Sequence, residues 1–170
     1  MIKASLSRRK INIVGAIDDE LFCELEWALT AMEDAEPGKP IHITLCSDGG
    51  ESAAGMACAE RMLISPCEIH CDAYGEVASA AVGLFLAAKR RRMSKNCWFM
   101  HHEDSQEFDD KLSNIASTMV HLQIEESNWN ALVASRTKRT ESFWRNIGLS
   151  KDRYLNAEQC LKLGVIHAII

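Results

Sequence analysis

The chain has 170 residues, 47% of them hydrophobic and 25% charged, with a formal net charge of −5. That length fits one domain, and the composition is that of an ordinary soluble globular protein. The negative balance weighs against general nucleic-acid binding and against attraction to anionic membranes.

Residues 1–10 form a short basic segment without the apolar core of a signal peptide, so a cytoplasmic protein is expected. A single domain is expected over residues 11–170. Residues 11–15 (INIVG) predict a short buried strand. Asp18 and Asp19 offer N-cap chemistry to a helix running to about residue 34, with Leu21, Leu25, Ala28 and Met32 at helical spacing. Pro37-Gly38-Lys39-Pro40 breaks the chain. Residues 41–46 (IHITLC) predict a second strand, Ser47-Asp48-Gly49-Gly50 a tight turn, and residues 52–64 a helix of small residues. Residues 67–74 predict a third strand. Gly75 then turns the chain into an apolar helix from near residue 78, whose charged end is Lys89-Arg90-Arg91-Arg92. The apolar run 77–88 is too short for a bilayer, which needs about 20 residues. Residues 96–101 (NCWFMH) predict another strand, and residues 103–110 are acidic and polar.

A long helix is expected from about residue 109 to 135, where Leu112, Ile115, Met119, Leu122, Trp129 and Val133 make an apolar stripe. Its length in so small a domain points to packing against a second subunit. Two short helices, 141–147 and 156–163 with Gly164 as C-cap, precede a final strand over 165–170. Strand–helix alternation gives an α/β class. The seven cysteines are scattered without a C-x-x-C pair, which suits buried thiols in a reducing cytosol. Cys67, His70 and Cys71 could in principle hold a metal. On a strand, however, His70 faces away from the two thiols, so no metal and no cofactor are expected.

Two strand-to-helix turns, 47–51 and 75–80, carry the chemistry. Turns of this kind face one edge of a parallel sheet and can meet there. Ser79 stands where a helix begins, beside free backbone N–H groups and the positive end of the helix dipole. Acyl transfer needs such a hydroxyl and two N–H donors for the developing oxyanion, for which Gly50 and Ala80 are the candidates. A serine there is also an ordinary helix cap. A base is needed, and in the pair His101 and His102 one ring faces the cleft. An orienting carboxylate is needed too, and Asp104, Asp109, Asp110 and Asp152 all qualify by type.

Along nearly its whole length the chain resembles the Clp protease proteolytic subunit, ClpP. The family's S-P-G-G turn and T-A-G-M helix start are similar to Ser47-Asp48-Gly49-Gly50 and Ala53-Ala54-Gly55-Met56. Its G-Q-A-A-S-M-G motif resembles Gly75-Glu76-Val77-Ala78-Ser79-Ala80-Ala81. Its M-I-H and D-R-F-L-S-A segments resemble Met100-His101-His102 and Asp152-Arg153-Tyr154-Leu155-Asn156-Ala157. The resemblance implies a ClpP/crotonase-type fold of repeated β-β-α units with a projecting handle helix. It implies a Ser79–His102–Asp152 triad with Gly50 and Ala80 as the oxyanion hole. It also implies a homo-oligomer, a heptameric ring or stacked double ring, cleaving peptides or unfolded proteins inside its chamber.

Departures from the family pattern mark a short or divergent member, with a phage-type protein among the readings. Asp48 replaces the proline of the turn, and Ala81 a glycine. His42 and Thr44 stand where the family docks its ATPase through aromatic residues, which weighs against a Clp ATPase partner. Two alternatives share the fold: a non-catalytic ring subunit, and a crotonase-type acyl-CoA enzyme, which would leave the serine, histidine and aspartate unexplained.

Overall fold

The computed structural model describes residues 2–103, 111–149 and 151–170. Strand β1 (Ile2–Ser5) runs antiparallel to β2 (Lys10–Val14), in which Ile11 and Ile13 face inward between exposed neighbours. Helix α1 (Asp19–Ala35) starts at Asp18, whose carboxylate accepts from the Leu21 amide at 2.8 Å. It buries Leu21, Leu25, Ala28, Leu29 and Met32 against the sheet. Its last turn is closed by the buried Arg9, which donates to the Met32 carbonyl at 2.6 Å and to that of Lys39 at 2.7 Å. The Met32 carbonyl also accepts from the Glu36 amide at 3.2 Å, and a fork of five N–H groups suits carbonyls gathered at a helix end.

Strand β3 (Ile41–Ser47) lies parallel to β2 and leads into α2 (Ser52–Leu63). A Cβ on Gly55 of α2 would come within 2.8 Å of the Ala80 carbonyl oxygen, so glycine permits this close crossing. Strand β4 (Ile69–Ala78) is parallel to β3 and is the centre of the sheet. Helix α3 (Ala81–Ala87) follows it and is buried throughout.

Gly75 does not end the strand, as the sequence led us to expect, and the helix starts at Ala81 rather than near 78. The register with β3 moves from Leu45/Ala73 to Ser47/Val77, so β4 holds two extra residues there. Gly75, at φ +66°, absorbs them as a kink. Before the kink β4 pairs with β5 (Arg90–Met93), and after it with β6 (Trp98–His101), both in parallel. The strand thus forks, and its second arm carries the chain to Ser79.

Residues 90–93 form a strand and not a solvated helix end. Arg90 and Arg92 point outward, whereas Arg91 is buried and donates to the carbonyls of Val165 (2.6 Å), Ala88 (2.9 Å) and Arg136 (2.8 Å). Burial pulls the Arg91 guanidinium down to about 10, still charged at neutral pH. Arg92 forms a bidentate pair with Asp72 on the open face. β4 likewise turns Cys71 inward, where burial raises its thiol pKa, and leaves His70 outward beside Glu68.

Helix α4 (Leu112–Ser135) has 24 residues and meets the core through its C-terminal half. The Trp129 ring lies over Gly83, where a Cβ would come within 2.9 Å of it, and Val133 is buried. Met119, Val120 and Ile124 remain 50–58% exposed. The expected stripe therefore splits, with Met119 outward and Leu122 half-buried. Helix α5 (Glu141–Gly148) buries Trp144. Strand β7 (Arg153–Asn156), which the periodicity of the sequence does not reveal, runs antiparallel to β6. Helix α6 (Ala157–Leu163) carries a capping box from Asn156 to Gln159 and ends on Gly164 at φ +78°. The final strand β8 is only Ala168–Ile169, paired with β5. The whole is an α/β fold of repeated β-β-α elements with one long helix.

Candidate active site

Ser79 occupies the step between β4 and α3, and its backbone is left-handed at φ +51°. That region is costly for a residue with a Cβ and persists only where neighbours enforce it. Here the Ser79 amide donates to the Met100 carbonyl at 3.1 Å, which fastens the turn to β6. The sharp turn lifts the side chain clear of the sheet edge.

The 47–50 turn packs directly against this step. A Cβ on Gly49 (φ +105°) would lie 2.7 Å from the Ser79 Cβ and 3.1 Å from the Ala80 nitrogen, so only glycine fits. Gly49 and Glu51 bond to Ile17 on one side: the Ile17 amide donates to Gly49 O, and the Glu51 amide to Ile17 O, each at 2.8 Å. In extended chain the residue between them directs its own N–H and C=O the other way. Gly50 is that residue, and its N–H points away from Ile17. Among the described residues neither the Gly50 nor the Ala80 amide donates to a turn or loop carbonyl. The structure thus brings the two turns together. Asp48, the departure in this turn, is exposed.

β6 ends at His101 and His102 follows it, and the two side chains turn to opposite sides. His101 is buried, bonded through Nε2 to the Trp144 carbonyl at 3.2 Å and edge-on to the Trp144 ring. Burial, with the neighbouring His102 adding a little, lowers its pKa to about 4, so it is neutral at physiological pH. His102 turns to the cleft, with Nε2 at 2.7 Å from the Ser79 Oγ. With the hydroxyl donating, Nε2 is the acceptor and the ring proton sits on Nδ1. Nδ1 faces Asp152 Oδ1 at 3.9 Å, an ion-pair distance longer than a hydrogen bond. The Asp152 side chain is 56% exposed and that of His102 is 24% exposed. Asp104, Asp109 and Asp110, the other carboxylates considered, lie outside the described residues.

A cavity of about 310 Å³ opens beside Ser79 and His102. Its walls come from the start of α2, the end of β6, α4 and α5. Of the α4 residues that face it, sequence reasoning marked Leu122 and Trp129 only as part of an apolar stripe and singled out neither Glu126 nor Asn130. One signal was available: Asn130 is a polar residue sitting between Trp129 and Val133 of the apolar stripe. Among the described residues no group of three or more His, Cys, Asp or Glu is placed to hold a metal ion.

The family model described as Clp protease matches residues 1–170. The chain is 27% identical over 173 residues to the ATP-dependent Clp protease proteolytic subunit 2 of Treponema denticola, covering 99% of this chain and 85% of the relative. It is 28% identical over 174 residues to the protein of the same name in Treponema pallidum, covering 97% and 83%. Among solved structures, a point mutant of ClpP1 from Listeria monocytogenes superposes with a TM-score of 0.88 at 23% identity, covering 97% of this chain and 92% of that one.

Proposed function

Because this chain belongs to the Clp protease family, we propose that it is a serine endopeptidase working through Ser79, His102 and Asp152. The observation that carries this reading is the 2.7 Å contact between His102 Nε2 and a serine hydroxyl held at positive φ. As the Ser79 Oγ bonds to the substrate carbonyl carbon, its proton passes to Nε2. The carbonyl oxygen becomes an anion facing the Gly50 and Ala80 N–H groups. When the C–N bond breaks, the proton on Nε2 goes to the departing amine and leaves an acyl-serine. Water, deprotonated by the same nitrogen, releases the acid and restores Ser79. Asp152 holds the Nδ1 proton and favours the imidazolium formed in each step.

Peptides and unfolded polypeptides are the proposed substrates, taken inside a homo-oligomeric ring. The exposed Met119, Val120 and Ile124 on α4 support assembly, since an apolar helix face gains by being covered. The relatives are ATP-dependent by name, but the open sheet face here offers His42 and Thr44 to an ATPase. Cleavage of short peptides without nucleotide is therefore the expected basal activity. A fluorophosphonate reporter tests the core of the reading. It should label the wild-type protein and leave Ser79→Ala unlabelled; equal labelling of both would overturn the assignment.

A further inference from the structure

The cavity beside Ser79 is apolar over much of its wall, with Met56 from α2 and Leu122 and Trp129 from α4. Its charges are uneven. Glu103, Glu125 and Glu126 face it against a single guanidinium, Arg145. His102 is engaged with Ser79, and His101 is buried and neutral. Glu125 already lies 3.3 Å from His121 one turn back on α4. Glu126 differs, being half-buried, with no Lys, Arg or His nitrogen within ion-pairing distance among the described residues.

A second group one turn further along the same helix points the same way. Asn130 is 2% exposed and lines the cavity. Its Nδ2 donates to the Glu126 backbone carbonyl at 2.9 Å, which fixes the amide's orientation. Its Oδ1 is the one buried side-chain oxygen or nitrogen without a hydrogen-bond partner among the described residues. A buried acceptor left without a donor costs about 1–3 kcal/mol, and a half-buried carboxylate without a cation is also under-compensated. Both groups call for donors, and the surrounding wall calls for hydrocarbon.

We propose that this cavity receives the substrate side chain on the carbonyl side of the scissile bond and selects an aliphatic stem ending in a cation, as in lysine or arginine. Glu126 is the specificity-determining residue: its carboxylate pairs with the incoming charge, while Asn130 presents an acceptor beside it. The inference rests on Ser79 being the nucleophile.

Diphenyl phosphonates bearing a lysine or a leucine side chain test it, because each must seat that side chain while phosphonylating the serine. In the wild-type protein the lysine reagent should label Ser79 about tenfold faster than the leucine reagent, the size of effect expected of a charge-assisted hydrogen bond. Glu126→Gln should bring the two rates to within about threefold of each other, and Glu126→Lys should invert the preference. Each variant is scored by a ratio, so partial loss of folded protein cancels. Equal rates in the wild type, or a ratio unmoved by Glu126→Gln, would overturn the selectivity while fluorophosphonate labelling of Ser79 still stands. Absence of fluorophosphonate labelling at Ser79 would overturn the peptidase reading itself, and the subsite with it.

Discussion

Ser79 and Asp152 approach the same imidazole from two differently built parts of the molecule. Ser79 is enclosed: β4 leads into it, β6 accepts its amide hydrogen, Gly49 touches its Cβ and α3 leaves from it. Asp152 precedes β7, a strand paired on the β6 side, and its carboxylate is more than half exposed. The distances follow this difference, 2.7 Å from His102 to the serine and 3.9 Å to the acid. A hydroxyl locked by packing is set before substrate arrives. A carboxylate at the surface contributes less, because water screens it, until something closes the gap.

If the enclosed side is the critical one, small intrusions there should be the most damaging. Gly49→Ala adds a methyl group that meets Ser79 and Ala80 and forces alanine to φ +105°. The rate of labelling by a fluorophosphonate should fall about 100-fold or more, with the far-ultraviolet circular dichroism spectrum retained. Asp152→Asn should cost only about tenfold in peptide hydrolysis, well short of the roughly 10⁴ lost when a buried triad acid is replaced. A loss as large as that of the buried case would show that assembly closes the 3.9 Å gap, and native mass spectrometry would identify the oligomer responsible.

The smallest effect on rate is expected behind the imidazole, at His101, whose role is in stability. In the unfolded chain this histidine gains a proton below its ordinary value of 6.5, whereas in the fold it does so only near 4. The unfolded state therefore binds more protons in that window. The His101 contribution is complete above pH 6.5 and is lost as pH falls towards 4, by about 3 kcal/mol in all. Urea unfolding of His101→Asn should lack that part of the acid slope. A slope identical to the wild type would mean that His101 is protonated in the fold.

The two turns were legible because their residues announce local geometry. A glycine pair before a small-residue helix and a serine after an apolar strand each have few backbone solutions. Strand alternation guaranteed that His101 and His102 face opposite ways, yet it could not say which one faces the cleft. That depends on which side of β6 meets β4. The acid had no local signature, since Asp152 lies outside the periodic elements and reaches His102 through the antiparallel pairing of β7 with β6. Residues 90–93 mislead because three arginines suggest solvent, whereas Arg91 is buried among carbonyls brought from α3, α4 and α6. Gly75 looks like a terminus because the register shift that turns it into a kink arises only in the pairing of β4 with β3. The cavity was invisible for a similar reason, since α4 forms its wall only once Trp129 has found Gly83.

That contact makes α4 a beam clamped near one end. Trp129 sits on α3, and Arg136, just past the helix, donates to the carbonyls of Leu86, Ala87 and Ala88 where α3 finishes. From Trp129 back to Leu112 the free arm is about 25 Å long at roughly 1.5 Å per residue. A tilt of about 5° at the clamp would carry the far tip roughly 2 Å, while the residues beside the clamp hardly shift. The stretch of cavity wall that keeps its place under such a deflection is the one bearing Glu126 and Asn130.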